Sequence, residues 1–199
     1  LAMLLGSAGE VWSADFQKGL DAAERGDSET ALREWEPLAK LGDAKSQYNL
    51  GQMYRKGRGV PQNYGTALKW YELAADQGNI RAQYNVGWMY RRGQGIPQNY
   101  KTAAKWYQLA AKQGYAPAQY NLGRMYRKGR GVSQNYETAV KWYRLAAEHG
   151  HASARYNLGG MYRKGRGVTR NYLTAVKWYR LAAEQGHAPA QTGLGYMYD

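Results

Sequence analysis

Cysteine is missing from this chain of 199 residues, and its absence removes disulfides, thiol nucleophiles and thiolate metal sites together. The redox compartment is left undecided. No stretch reaches the ~20 apolar residues of a membrane-spanning helix, so a helical span is excluded. Phe occurs once and Pro five times, against 19 Tyr and 7 Trp. Most large side chains available to a core therefore carry a polar end that must reach water or a partner. Acids are scarce as well: 15 Asp and Glu stand against 28 Lys and Arg, and the net charge of +13 favours anionic partners. Those partners are nucleic acid, anionic lipid or glycan, or an acidic protein.

What the chain has is a period. Gln-Tyr-Asn, a Gly-x-Gly hinge, Asn-Tyr and Lys-Trp-Tyr return every 36 residues, in register at Tyr54, Tyr90, Tyr126 and Tyr162 and at Trp70, Trp106, Trp142 and Trp178. A fixed period of this length marks a stacked array in which each unit buries its apolar face against its neighbours. In the unit 44–79, Ser46, Leu50, Gly51 and Tyr54 share one face of a first helix. A mid-helix glycine costs about 1 kcal/mol against Ala, so Gly51, Gly87, Gly123 and Gly159 imply a backbone contact too close for a methyl group. Gly57 and Gly59 end that helix, and Asn63 caps a second one carrying Tyr64, Ala67, Trp70, Tyr71, Ala74 and Gly78.

These helix-turn-helix units resemble tetratricopeptide repeats, and the Gly-x-Gly-Val hinge with Lys-Trp-Tyr-x-x-Ala-Ala resembles the SEL-one-like repeat subclass. The resemblance runs from Asp15 to Asp199 and implies an all-α, right-handed α-solenoid of about eleven helices. The organisation expected is a signal-peptide remnant or disordered N-terminus at 1–14, then a divergent capping repeat at 15–43. Full repeats follow at 44–79, 80–115, 116–151 and 152–187, and the first helix of an incomplete repeat at 188–199. In the cap the hinge is missing, Glu34 stands where Trp is expected, and Pro37 lies inside the second helix. Leu194 and Tyr198 lack a partner helix, so either the natural chain continues or another molecule, a second copy included, covers that end.

By analogy with tetratricopeptide arrays, the first helices line a concave groove. That places Tyr48, Tyr84, Tyr120 and Tyr156 in it, beside Asn49, Asn85, Asn121 and Asn157. The Asn amides either bond an extended peptide or cap and bridge neighbouring helices. The varying position is Gln52, Trp88, Arg124 and Gly160, with Trp88 the expected anchor because aromatic residues dominate binding hot spots. The ends of the first helices carry Arg55, Lys56 and Arg58; Arg91 and Arg92; Arg127, Lys128 and Arg130; and Arg163, Lys164 and Arg166. One reading is compensation of helix dipoles and solubility, the other an anion-binding ridge.

Chemistry is poorly represented. His149, His151 and His187 fall in turns, where solvent exposure is the expected state, and no Cys or recurring carboxylate pair completes a metal site. The Gly-Arg-Gly-Val hinges follow helices and lack a third Gly, with Gln62, Gln98, Gln134 and Arg170 in its place, so they are not phosphate loops. Neither cofactor nor metal is expected. SEL-one-like proteins generally act as adaptors, so the resemblance implies a non-enzymatic scaffold holding a peptide or protein segment, acidic ones being favoured by the charge. The alternatives are a binder of an anionic polymer, envelope glycan or nucleic acid, and a hydrolase of the kind ascribed to cysteine-rich relatives, which this cysteine-free chain does not resemble. Leu1–Ala8 reads as the tail of a secretory signal, which implies a bacterial periplasmic or secreted protein.

Overall fold

A computed structural model describes residues 14–198, so the leader-like stretch lies outside the described residues. Among the described residues all regular structure is helical, in eleven helices. The cap is α1 (Phe16–Glu24) and α2 (Ser28–Lys40). Next come α3 (Ala44–Lys56), α4 (Tyr64–Asp76), α5 (Ile80–Arg92), α6 (Tyr100–Lys112), α7 (Ala116–Lys128), α8 (Tyr136–Glu148), α9 (Ala152–Lys164), α10 (Tyr172–Ala183) and α11 (Ala188–Tyr198), with α3 packed on α4, α7 on α8 and α9 on α10. The chain divides into two compact units, Leu1–Gln98 and Asn99–Asp199.

Local chemistry sets each boundary. Asn63, Asn99, Asn135 and Asn171 cap the second helices, each Oδ1 accepting from the backbone N–H of a Thr three residues on, at 2.7 to 2.9 Å. Each such cap contributes about 1 kcal/mol. The first helices end on a left-handed glycine, Gly57, Gly93, Gly129 or Gly165. Gln62, Gln98 and Gln134 then reach back, Nε2 donating to the carbonyls of Arg55, Arg91 and Arg127. The position that disqualified the hinge as a phosphate loop thus closes it instead. The second helix of the first full repeat ends at Asp76, leaving Gly78 in the turn and not on the helix face.

Packing explains the mid-helix glycine. A Cβ at Gly51 would stand 2.5 Å from the Tyr71 ring, and at Gly123 and Gly159 it would stand 2.8 Å from Tyr143 and Tyr179. These rings form the middle of their hairpins, with Tyr71 and Tyr143 fully buried. In the N-terminal unit Ala22, Ala31, Trp35, Ala39, Leu50 and Met53 make one apolar cluster. In the C-terminal unit Ala139, Val140, Tyr143, Ala146, Ala147, Ala154, Leu158 and Met161 make another. Small alanines facing rings let the helices approach closely.

Successive hairpins are joined by contacts to backbone. Buried Gln47, Gln83 and Gln119 donate through Nε2 to the carbonyls of Ala39, Ala75 and Ala111, each at 3.1 Å. Arg155 replaces them in the last full repeat, bonding the carbonyls of Ala147 and Leu181. A Cβ on Gly131 or Gly167, the second hinge glycines, would collide with the backbone of Tyr100 or Tyr136 at the start of the preceding second helix.

The cap uses a different device. Its helix α2 continues through Pro37, and the backbone bond lost there falls at exposed Arg33. Glu34 is buried, with Oε1 2.7 Å from the Lys18 ammonium and Oε2 accepting from the Asp15 N–H at 3.0 Å. The Lys18 contact holds its carboxyl below the usual value, against the opposing pull of desolvation. A depressed folded-state pKa means stability is present above the unfolded carboxyl range, near pH 4.3, and is lost as pH falls through the folded value. Acid titration of the fold should therefore show a loss below about pH 4.3 that Glu34→Gln reduces. Circular dichroism from pH 7 to 2 measures it; identical wild-type and variant profiles would remove Glu34 from this role.

Candidate partner-binding site

Charge is sharply sorted along the chain. Residues 15–43 carry eight acids and four bases, whereas 44–187 carry 24 bases and five acids. All five of those acids, Glu72, Asp76, Glu137, Glu148 and Glu184, belong to second helices or the turns after them. The four first helices α3, α5, α7 and α9 hold twelve Lys and Arg and no acid at all. Neighbouring cations affect the ionisation of two of these lysines. Neighbouring Arg130 holds the Lys128 ammonium below its usual value, and desolvation with Arg58 and Arg55 does the same to Lys56.

In the N-terminal unit the expected residues form a connected network. Gln52 Nε2 donates to the Tyr48 hydroxyl at 2.7 Å and its Oε1 accepts from Arg55 Nη2 at 3.0 Å. Arg55 Nε donates to the hydroxyl of buried Tyr71 at 3.2 Å. The Arg55 and Arg92 guanidiniums both lie over the Trp88 indole, 5.8 and 5.7 Å from its centroid. Asn49, Tyr84, Asn85 and Arg91 are half-buried on the same helices, α3 and α5.

In the C-terminal unit Tyr120 and Tyr156 pack on Tyr143 and Tyr179, with centroids 6.1 and 5.5 Å apart. Arg124 lies over the Tyr120 ring. The hydroxyl of Tyr143 accepts from Arg127 Nε at 3.3 Å, and Arg163 bonds that of Tyr179. Burial pushes the Tyr143 hydroxyl up to about 12, so it stays protonated at any ordinary pH. Asn121 Nδ2 donates to the Pro117 carbonyl at 2.8 Å and Asn157 Nδ2 to that of Ser153 at 2.7 Å, one turn back in their own helices. At least one amide hydrogen of each is thus directed into the helix. Gly160 leaves room beside Tyr179, whose hydroxyl lies 3.5 Å from where a Cβ would be.

The basic residues at the ends of the first helices are accordingly not equivalent. Its first arginine in a repeat pins a buried tyrosine at Arg55, Arg127 and Arg163, while Arg130 and Arg166 lie over the rings of Tyr100 and Tyr136. Lys56, Lys128 and Lys164 are exposed.

Two histidines correct the expectation of exposure. His151 is half-buried, stacked on Tyr120 at 4.5 Å, and its Nδ1 accepts from the Ala154 N–H to cap α9. His187 packs on Tyr156 at 5.1 Å. The reason is positional: the residue opening a first helix sits beside the tyrosine of the preceding one. Desolvation holds the His151 imidazole below its usual value. Only His149 is exposed, and its Nδ1 lies 3.3 Å from Gln119 Oε1, much as Gln77 bonds Gln47 two repeats earlier. Sequence reasoning missed these side chains and the buried Gln47, Gln83 and Gln119, whose only signal was recurrence within Gln-Tyr-Asn.

Among the described residues no group of three or more His, Cys, Asp or Glu could hold a metal, and no helix is long and apolar enough to cross a membrane. Helix hairpins at a 36-residue period, joined through their hinges, define an all-α protein of the helical-repeat solenoid class. The Sel1 repeat pattern matches residues 44–79, 80–115, 116–151, 152–187 and 188–199, and the chain belongs to the Sel1 repeat family.

Solved structures agree. A Sel1 repeat protein from Oxalobacter formigenes is 36% identical with a TM-score of 0.88, the match covering 92% of this chain and 76% of that one. A protective antigen of uropathogenic Escherichia coli with an SLR fold is 43% identical with a TM-score of 0.82 over 84% of this chain. This chain spans only 36% of that antigen's length. An immunity protein from Pseudomonas aeruginosa is 25% identical with a TM-score of 0.55, covering 89% of this chain and 69% of that one. No curated protein matches the chain significantly. Sel1 repeat solenoids generally act as non-enzymatic protein-interaction scaffolds, and in bacteria they are often extracytoplasmic.

Proposed function

We propose that this chain is a non-enzymatic scaffold that holds acidic protein segments on the faces of its first helices, α3 and α5 in one unit and α7 and α9 in the other. The observation that carries the reading is the twelve cations without one acid on α3, α5, α7 and α9, interleaved with Tyr48, Trp88, Tyr120 and Tyr156. Dipole compensation needs about one cation per helix end, and crowding several together costs stability through like-charge repulsion. An acidic ligand relieves that repulsion. The leader-like Leu1–Ala8 and the habit of the family favour an exported, periplasmic or secreted site of action.

An anionic polymer is the weaker reading because the rings are already occupied. Single-stranded nucleic acid binds by stacking bases on bare aromatic faces. Here Trp88 carries Arg55 and Arg92, and Tyr120 carries His151 and Arg124.

Binding of the full chain to a short peptide of alternating Glu and Gly, acetylated and amidated, tests the proposal by calorimetry. The peptide should bind at least about tenfold tighter than its Gln-for-Glu analogue, equivalent to about 1.4 kcal/mol, and weaken as salt rises. Equal affinity for both peptides, or binding of a poly-dT oligonucleotide alone, would overturn it.

A further inference from the structure

The variable position of the first helices is where one repeat differs chemically from its neighbours. Trp88 holds it in α5, and two arginines converge on that indole: Arg55 from α3 and Arg92 from the last turn of α5 itself. We propose that Arg55, Trp88 and Arg92 form a receptor for one Asp or Glu side-chain carboxylate of the bound segment. This rests on the reading that the chain binds an acidic segment, and it names the group that anchors it.

Three observations support the assignment. Arg55 is fixed before any ligand arrives, because two of its five N–H donors are held, one by Tyr71 and one by Gln52, which is itself bonded to Tyr48. The remaining three donors are presented in a set plane, so little side-chain entropy is lost on binding. The indole also gathers both guanidiniums to one side chain, at 5.8 and 5.7 Å from its centroid, and each guanidinium is a fork suited to a bidentate acceptor. Finally, two like charges share one ring with no acid on α3 or α5 to separate them. A carboxylate bound by either guanidinium supplies that charge, and it is planar like the fork that receives it.

The same contacts disfavour a nucleobase, because two guanidiniums already take up part of the indole surface on which it would stack. It also distinguishes this repeat from the next: Arg124 lies over Tyr120 and has no Trp, and Gly160 has no side chain to offer.

Trp88→Gln is the informative variant because Gln stands at the equivalent position 52, so the fold already accepts it. Arg92→Lys is the second, since Lys occupies the equivalent positions 56, 128 and 164 and retains the charge while removing the fork. Both should melt within a few degrees of wild type by circular dichroism. In calorimetry with the Glu-Gly peptide, Trp88→Gln should weaken binding about tenfold and Arg92→Lys about threefold to fivefold, while Lys141→Gln on the second helix α8, which also removes one exposed cation, should change it less than twofold.

Wild-type affinity in Trp88→Gln, with the preference for Glu over Gln peptide intact, overturns this receptor and leaves the acidic-segment scaffold standing. Loss of that preference in the wild type overturns the scaffold reading, and the receptor with it. Equal binding of a Gln-Gly peptide with a free C-terminus overturns the choice of a side-chain carboxylate. A larger effect of Trp88→Gln on poly-dT than on the Glu peptide overturns it in favour of nucleic acid.

Discussion

Tyr143→Ala should destabilise the Asn99–Asp199 unit by about 3–5 kcal/mol, the range for removing a fully buried ring. The side chain has 0% exposure, and its ring fills the space that Gly123 leaves open between α7 and α8. The other buried residues of its cluster are alanines with Val140, Leu158 and Met161. Tyr143→Phe separates ring from hydroxyl. It loses only the bond to Arg127, worth about 0.5–1.5 kcal/mol, and leaves the cavity filled. Urea unfolding of both variants decides the matter: equal costs for Ala and Phe would mean that the hydroxyl, and not the ring, holds the hairpin.

Gly131→Ala should cost about 2–5 kcal/mol, and Gly129→Ala only about 1–2 kcal/mol, although both hinge glycines have positive φ. At Gly129 the main penalty is the left-handed backbone itself, with an added Cβ 3.2 Å from Gln134 Cβ and 3.4 Å from its backbone nitrogen. At Gly131 the same backbone penalty is joined by collision with the Tyr100 main chain, which begins α6 and cannot yield without moving the helix. Thermal unfolding of the two variants in parallel measures the difference. Equal losses would show that the hinge does not press on the preceding hairpin.

The period, the helix pairing and the caps were legible in the sequence because each is decided within one repeat. Asn63 and Gly57 act on residues a few positions away, and Gly51 announced a close contact by being a poor helix residue that returns in every copy. The candidate site was legible only as a roll of positions. Arg55 reads identically whether it points to solvent or to Tyr71, because its partner lies 16 residues on, in another helix. His151 looked like an ordinary turn residue, since its stacking partner Tyr120 belongs to the preceding repeat. The pull of Gln47 on the Ala39 carbonyl was hidden for the same reason. Cap residue Glu34 was noticed as a departure, but its bond to Lys18 follows from helix packing that no repeat pattern encodes.

Part of each joint between hairpins addresses main-chain atoms: the glutamines take up alanine carbonyls, and the second hinge glycines Gly131 and Gly167 rest on peptide planes. Such contacts ignore which side chains the adjoining module carries. Gene duplication or unequal recombination can therefore splice modules in new orders and numbers and still yield chains that fold, which frees the residue at 52, 88, 124 or 160 to diversify while the seams stay constant.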